Sequence, residues 1–120
     1  MTRHHLAPGA IAGFAVALVL MLVILANPLS ELAAGEIAAG RQKATACQAC
    51  HGLDGLSKIP VAPNIAGNPE PYLVKSLNDF RKGVRKDEMM SLVVQPLSDQ
   101  DVADLAAYYA AIEVTVTLPK

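Results

Sequence analysis

The stretch Cys47-Gln48-Ala49-Cys50-His51 constrains this chain more than any other. It holds both cysteines and the one histidine that lies outside the N-terminal tip. Two thiols three positions apart, followed at once by an imidazole, make the C-x-x-C-H pattern by which a haem is attached covalently. Each thiol can add across one vinyl group, and the adjacent imidazole is then held where it can bind the iron. Simpler readings of the five residues fit less well. A thioredoxin-like C-x-x-C pair expects a βαβ context, which the sequence lacks. A structural zinc site needs four ligands, and no second Cys or His pair follows the motif.

At 120 residues there is room for one small domain. The part from about residue 31 onward would bury only a marginal core by itself. An internal haem would supply the missing apolar mass, in keeping with 4% aromatic residues and no Trp. A formal net charge of -1 argues against a nucleic-acid binder, which would be basic.

Residues 6–26 carry no charged side chain, and Ile11 to Leu25 is almost wholly aliphatic. About 20 residues in a helix cross the roughly 30 Å hydrocarbon layer of a bilayer. A removed signal peptide has a shorter apolar region, about 7–15 residues, and a small-x-small cleavage site. Near Ala26 that site is spoiled by Ile24, and Leu32-Ala33-Ala34 fits it only in part. The reading is a retained membrane anchor over residues 1–27, a short linker at 28–34 and the haem domain at 35–120. Arg3 is the one positive charge ahead of the span, a weak orientation signal, and haem attachment on the far side points the same way. His4 and His5 form an exposed pair at the tip and are not read as a metal site.

The haem domain reads as helical. A first helix is expected to begin between Ser30 and Gly35 and run to the cysteines, with Gly40 in its middle. Residues 52–68 hold Gly, Pro, Asp and Ser without helical periodicity, a long loop of the kind that wraps something functional. A second helix is expected with Asn68 as N-cap, Pro69 in its first position, and Leu73, Leu77 and Phe80 on one face, stopping at Gly83. A last helix opens on Ser98-Asp99-Gln100-Asp101, a capping box with Asp in place of the usual Glu. Val102, Leu105, Ala106, Tyr109 and Ile112 form its apolar stripe. Residues 114–120 alternate too briefly to assign.

His51 supplies one axial ligand as neutral imidazole, and its other ring nitrogen needs an acceptor. With no other histidine in the haem domain, the opposite position is left open or filled by something else, and the candidates are the domain's two methionines, Met89 and Met90. A thioether is a soft ligand that raises the reduction potential. Spacing alone does not choose between the two neighbours.

From about Gly35 to Ile112 the chain resembles a class I c-type cytochrome, of the small bacterial kind found as single-haem proteins and as the halves of diheme c4-type proteins. The resemblance lies in Gly40, Cys47 to Gly52, Asp54-Gly55, Pro63-Asn64-Ile65-Ala66-Gly67 and Tyr72-Leu73-Val74-Lys75. It continues through Phe80 with Gly83 and Leu97-Ser98-Asp99 to Leu105-Ala106-Ala107-Tyr108-Tyr109. It implies an all-α class I cytochrome c fold, three to five helices around one covalently attached haem c, here preceded by one N-terminal transmembrane helix. It implies that Met90, seven residues before Leu97, is the axial methionine, with Met89 as runner-up. It also gives Pro63 as the carbonyl that accepts from His51, and Gly40 with Tyr108 as the crossing of the first and last helices. An aromatic common one turn after that glycine is replaced here by Ala44.

The function expected is one-electron transfer by a membrane-anchored mono-haem cytochrome. It would act as a carrier or as a subunit of a respiratory or photosynthetic complex, with redox proteins as partners. Its place would be the bacterial inner membrane, with the haem domain on the periplasmic side. No nucleophile–base pair stands out, so an enzyme is not expected. Two other readings of the haem protein stay open: a soluble periplasmic cytochrome after signal cleavage, and a haem catalyst or gas sensor with a displaceable methionine. A thiol-redox protein without haem is a further class. Arg81, Lys82, Arg85 and Lys86 form a basic run before the methionines. Such runs are usually solvated faces, and the alternative is a surface that steers an acidic redox partner.

Overall fold

The computed structural model describes residues 34–120. The anchor expected over residues 6–26, and all of the linker but Ala34, lie outside the described residues. Among the described residues no helix is long and apolar enough to cross a membrane, and none of these residues is strand. Five α-helices follow in order: α1 Ile37–Lys43, α2 Gln48–His51, α3 Glu70–Arg81, α4 Met90–Val93 and α5 Asp99–Ala110. A 3-10 turn, Ala44–Ala46, joins α1 to α2.

The helix α5 is the centre of the domain. It opens on the expected capping box: the Ser98 hydroxyl accepts from the Asp101 N–H at 3.1 Å, and Asp101 accepts in return from the Ser98 N–H at 2.9 Å. Its apolar stripe, Val102, Leu105, Ala106 and Tyr109, is buried as expected. Ala103, Asp104 and Ala107 are buried too, because α1 packs on a second side while α3 covers the first. The core joins Ala44, Leu73, Leu105, Ala106 and Tyr109, with Leu53, Ile65 and Leu77 packed partly against it. Ala44, standing where an aromatic was noted as common, is fully buried at the heart of this cluster.

The approach of α1 to α5 needs glycine. A Cβ on Gly40 would lie 2.0 Å from the Asp104 carbonyl oxygen and 2.7 Å from the Tyr108 Cβ. That is the crossing the resemblance implied. A Cβ on Gly35 would meet the Ala103 carbonyl oxygen at 2.1 Å, so the contact extends one turn beyond the helix.

Three boundaries differ from expectation, one of them the end of the first helix, which stops at Lys43 and passes into the 3-10 turn before reaching the cysteines. The first helix begins at Ile37, later than the Ser30–Gly35 window, because its start is capped from elsewhere in the chain: the Glu36 N–H donates to Asp104 Oδ1 at 2.8 Å. In α3 the N-cap is Pro69, not Asn68. The Pro69 carbonyl accepts from the Tyr72 and Leu73 N–H groups, and Pro71 occupies the first turn, where a missing donor costs nothing. The expected stop holds: α3 ends at Arg81 and Gly83 takes a φ of 72°, the left-handed turn that glycine adopts without strain. The single turn α4 was not anticipated.

Candidate haem-binding site

The 3-10 turn delivers Cys47 to the start of α2, and α2 is one tight turn. The His51 N–H donates to the Cys47 carbonyl at 3.0 Å, and the Gly52 N–H to that of Gln48 at 2.9 Å. Winding the motif this way places Cys47 and Cys50 on one side of the helix, as i, i+3 positions are. Cys47 and Cys50 form no disulfide, and both are partly exposed. Burial raises the pKa of the Cys47 thiol, and Cys50 adds to the rise. A redox-active thiol shows the opposite, a lowered value.

His51 is buried, with 7% of its surface exposed, and its Nδ1 lies 2.9 Å from the Pro63 carbonyl oxygen. A carbonyl can only accept, so Nδ1 carries the proton and Nε2 keeps its lone pair for a metal. The loop that supplies Pro63 is held by its own backbone. The Lys58 N–H donates to the Cys50 carbonyl at 2.8 Å, and the Ile65 N–H to that of Gly55 at 2.8 Å. Asn64 Oδ1 accepts from the Ser57 N–H at 2.7 Å, and Asp54 accepts from both the Leu56 N–H and Lys58 Nζ. The residues between 52 and 69 thus form an ordered loop without helix, as expected.

Of the two methionines, Met90 is half-buried while Met89 is 61% exposed. Asp87 Oδ1 accepts from the N–H groups of both Met89 and Met90 at 3.0 and 2.9 Å. The Asp87 N–H donates to Ser91 Oγ at 3.1 Å, closing a reciprocal cap that starts α4 and fixes Met90. An Asp three residues before Met90 with Ser91 beyond it was a readable cap signal that the sequence reading passed over.

The residues fit a covalently held haem. The donor set is two thiols on one side of a turn and an imidazole whose tautomer is set for metal binding. The interior is also thin: the largest fully buried side chains among the described residues are the valines Val94 and Val102. No group of three or more His, Cys, Asp or Glu among the described residues could hold a metal ion. An open groove of about 660 Å³ beside Phe80, Lys82, Gly83 and Lys86 contains none of Cys47, Cys50, His51, Pro63 or Met90.

The basic run divides on inspection. Arg81 pairs with Asp99, donates to the Leu97 carbonyl at 2.7 Å, and so belongs to the scaffold. The Arg85 guanidinium stacks over the Phe80 ring at 4.4 Å. Lys82 and Lys86 are exposed.

Comparison with known proteins agrees with this geometry. The family model for cytochrome c matches residues 37–111. Cytochrome c4 of Pseudomonas aeruginosa is 48% identical over 84 residues, which cover 70% of this chain and 42% of that protein. Cytochrome c-554(548) of Halomonas halodenitrificans is 45% identical over 83 residues, covering 67% of this chain and 100% of that one. The crystal structure of reduced recombinant cytochrome c4 from Pseudomonas stutzeri superposes with a TM-score of 0.64 at 41% identity, over 69% of this chain and 48% of the other. The chain therefore spans about half the length of the cytochrome c4 relatives and the whole of c-554(548). The chain belongs to the cytochrome c family and carries one covalent haem c at Cys47, Cys50 and His51.

Proposed function

We propose that this protein is a one-electron carrier in which His51 and Met90 would hold the haem iron. When bound, the haem supplies the redox couple, ferric to ferrous and back. Cys47 and Cys50 hold it covalently, and Pro63 orients the His51 ring and raises its basicity through the Nδ1 proton. Met90 contributes a soft thioether that favours the ferrous state. The observation that carries the reading is the 2.9 Å contact between His51 Nδ1 and the Pro63 carbonyl, which leaves Nε2 as the ligand. The half-burial of Met90 beside an exposed Met89 supports the choice between the two methionines. The protein transfers electrons and is not an enzyme, and its partners are redox proteins.

The location belongs to the same proposal. Residues 6–26, free of charge and long enough to cross a bilayer, anchor the domain on the periplasmic face of a bacterial inner membrane. There it serves as a carrier or as a subunit of an electron-transfer complex. Membrane fractionation of the native protein, with haem staining and intact mass, tests anchor and cofactor together. Haem-stained protein of shortened mass in the soluble fraction would replace the anchored carrier with a cleaved periplasmic one. Ready binding of carbon monoxide by the ferrous wild type would replace the Met90 ligand with an open or displaceable position, as in a gas sensor.

A further inference from the structure

Tyr109 touches both ends of the loop that carries Pro63. Its hydroxyl donates to the Gly52 carbonyl at 3.1 Å, one residue after His51. Its own backbone carbonyl accepts from the Gly67 N–H at 2.9 Å, four residues after Pro63. The side chain is only 3% exposed, so the hydroxyl has no water to turn to if the bond breaks. Tyr108 adds a parallel bond at the first end, its hydroxyl donating to the Leu53 carbonyl at 2.8 Å. Between the two ends the loop folds back on itself through the Ile65 N–H to the Gly55 carbonyl, and the Lys58 N–H donates to the Cys50 carbonyl of α2. The loop is thus tied to α2 through Lys58 and to α5 through Tyr108 and Tyr109, and the two tyrosines hold its ends.

We propose that Tyr109 is a positioning residue for the iron ligand: by closing the loop at Gly52 and Gly67 it sets the distance between the Pro63 carbonyl and His51 Nδ1. The proposal rests on His51 acting as ligand in the reading above. It does not depend on which methionine lies opposite, or on the anchor. Loss of the hydroxyl releases one end of the loop while the aromatic ring still fills its place in the core. The Nδ1 bond then lengthens and the imidazole becomes less electron-rich, which disfavours the ferric state and moves the reduction potential upward.

The test compares wild type, Tyr109→Phe and Tyr108→Phe as haem-loaded protein. Three readouts are taken: the reduction potential, the Nδ1 nitrogen resonance of His51 in the ferrous state, and amide exchange at Ile65 and Gly67. Tyr109→Phe is expected to raise the potential, shift the Nδ1 resonance and speed exchange at Gly67 at least tenfold, although Gly67 keeps its own backbone acceptor. Tyr108→Phe should move the same quantities less. A Tyr109→Phe protein that melts at lower temperature with potential and Nδ1 resonance unchanged has lost packing alone, and overturns the proposal. Should that variant not accumulate with haem, Tyr108→Phe decides: a shifted Nδ1 resonance supports the loop closure, and an unchanged one overturns it. A wild type without an imidazole–iron signature would instead sink the ligand assignment, a different failure.

Discussion

Replacing Gly40 by Ala tests whether the α1–α5 crossing is the tight joint of this domain. Two effects oppose each other. Alanine is better than glycine in a helix interior by about 1 kcal/mol, so a solvent-facing substitution would stabilise. Here the new Cβ would lie 2.0 Å from the Asp104 carbonyl oxygen, 2.7 Å from its carbonyl carbon and 2.7 Å from the Tyr108 Cβ. Ordinary contact between such atoms begins near 3.5 Å, so the helices must part by about 1 Å or more. The obstacle is helix backbone and not the tip of a flexible side chain, so no rotamer relieves it. A gap of about 1 Å forfeits up to half of the dispersion energy across the contact. Overpacking of this kind costs about 1–3 kcal/mol and sometimes more. Since the clash is near the severe end, a net loss of about 2 kcal/mol is expected after the helix gain, or roughly 8–16 °C in melting temperature for a domain of this size. Thermal melts of the haem-loaded protein, followed by far-ultraviolet dichroism and the Soret band, measure it. Gly83→Ala is the internal control: its site has φ 72° and no atom within 4 Å of the added Cβ, so only the left-handed backbone penalty of about 1 kcal/mol remains. A Gly40→Ala protein melting within a degree or two of wild type, or no lower than Gly83→Ala, would refute the reasoning.

Other substitutions probe separate joints. Ser98→Ala removes the side-chain cap of α5 and should cost about 1 kcal/mol in denaturant unfolding, with the haem spectrum unchanged. Met90→Ala should abolish the methionine–iron band of the oxidised protein and admit carbon monoxide, while Met89→Ala, at an exposed site, should leave both as in wild type. Reversal of Lys82 and Lys86 to Glu should slow reduction by an acidic partner at low salt, an effect that fades as salt is raised; equal rates at all salt concentrations would make the run a solvated face. The Lys43 cluster predicts a pH dependence. Hydrogen bonds from the Glu36 N–H and from Lys43 lower the pKa of Asp104, a hydrogen bond from Lys43 lowers that of Asp101, and both carboxylates raise that of Lys43. The lowered carboxylates stabilise the fold above their unfolded values near pH 4, and that contribution is lost as pH falls through the folded ones. The raised lysine stabilises below about pH 10 and loses its share above. The stability gap between wild type and Asp104→Asn should be flat from about pH 5 to 9 and narrow steadily as pH falls below about 4; a gap that does not narrow in acid would assign it to shape and not to charge.

What was legible in the sequence was local. The haem attachment needs five consecutive residues, the α5 cap needs four, and Gly83 as a helix stop needs one, so each could be read in a short window. The loop from Gly52 onward was legible as a loop from composition, although its internal hydrogen bonds were not. What escaped reading depends on partners far along the chain. Glu36 begins α1 because Asp104, 68 positions later, accepts its N–H. Arg81 looked like one member of a basic run, yet Asp99 and the Leu97 carbonyl hold it as scaffold. Asp104 stands beside the apolar stripe, on another side of the helix, and only the fold brings Lys43 to it at 2.5 Å. The choice of Met90 over Met89 rests on resemblance, and the half-burial of Met90 beside an exposed Met89 is in keeping with it.

These distant partners meet on one helix, and their placement there makes two of them separable. Asp104 and Tyr109 are five residues apart on α5, which turns them about 140° from each other around the axis. Asp104 faces α1, where it takes Lys43 and the Glu36 N–H. Tyr109 lies in the core beside Leu105 and reaches the chain after His51. Asp104→Asn should therefore weaken the crossing, by about 1–2 kcal/mol for the charged hydrogen bond lost, and leave the His51 resonance where it was. Tyr109→Phe should do the converse, with a modest loss of stability and a shifted resonance. Combined, the two should add within about 0.5 kcal/mol in stability if they belong to independent joints, since only neighbours that share a partner couple strongly. A larger non-additive term, or a His51 shift produced by Asp104→Asn alone, would mean that α5 moves as a rigid lever. In that case the α1 crossing would itself set the iron ligand.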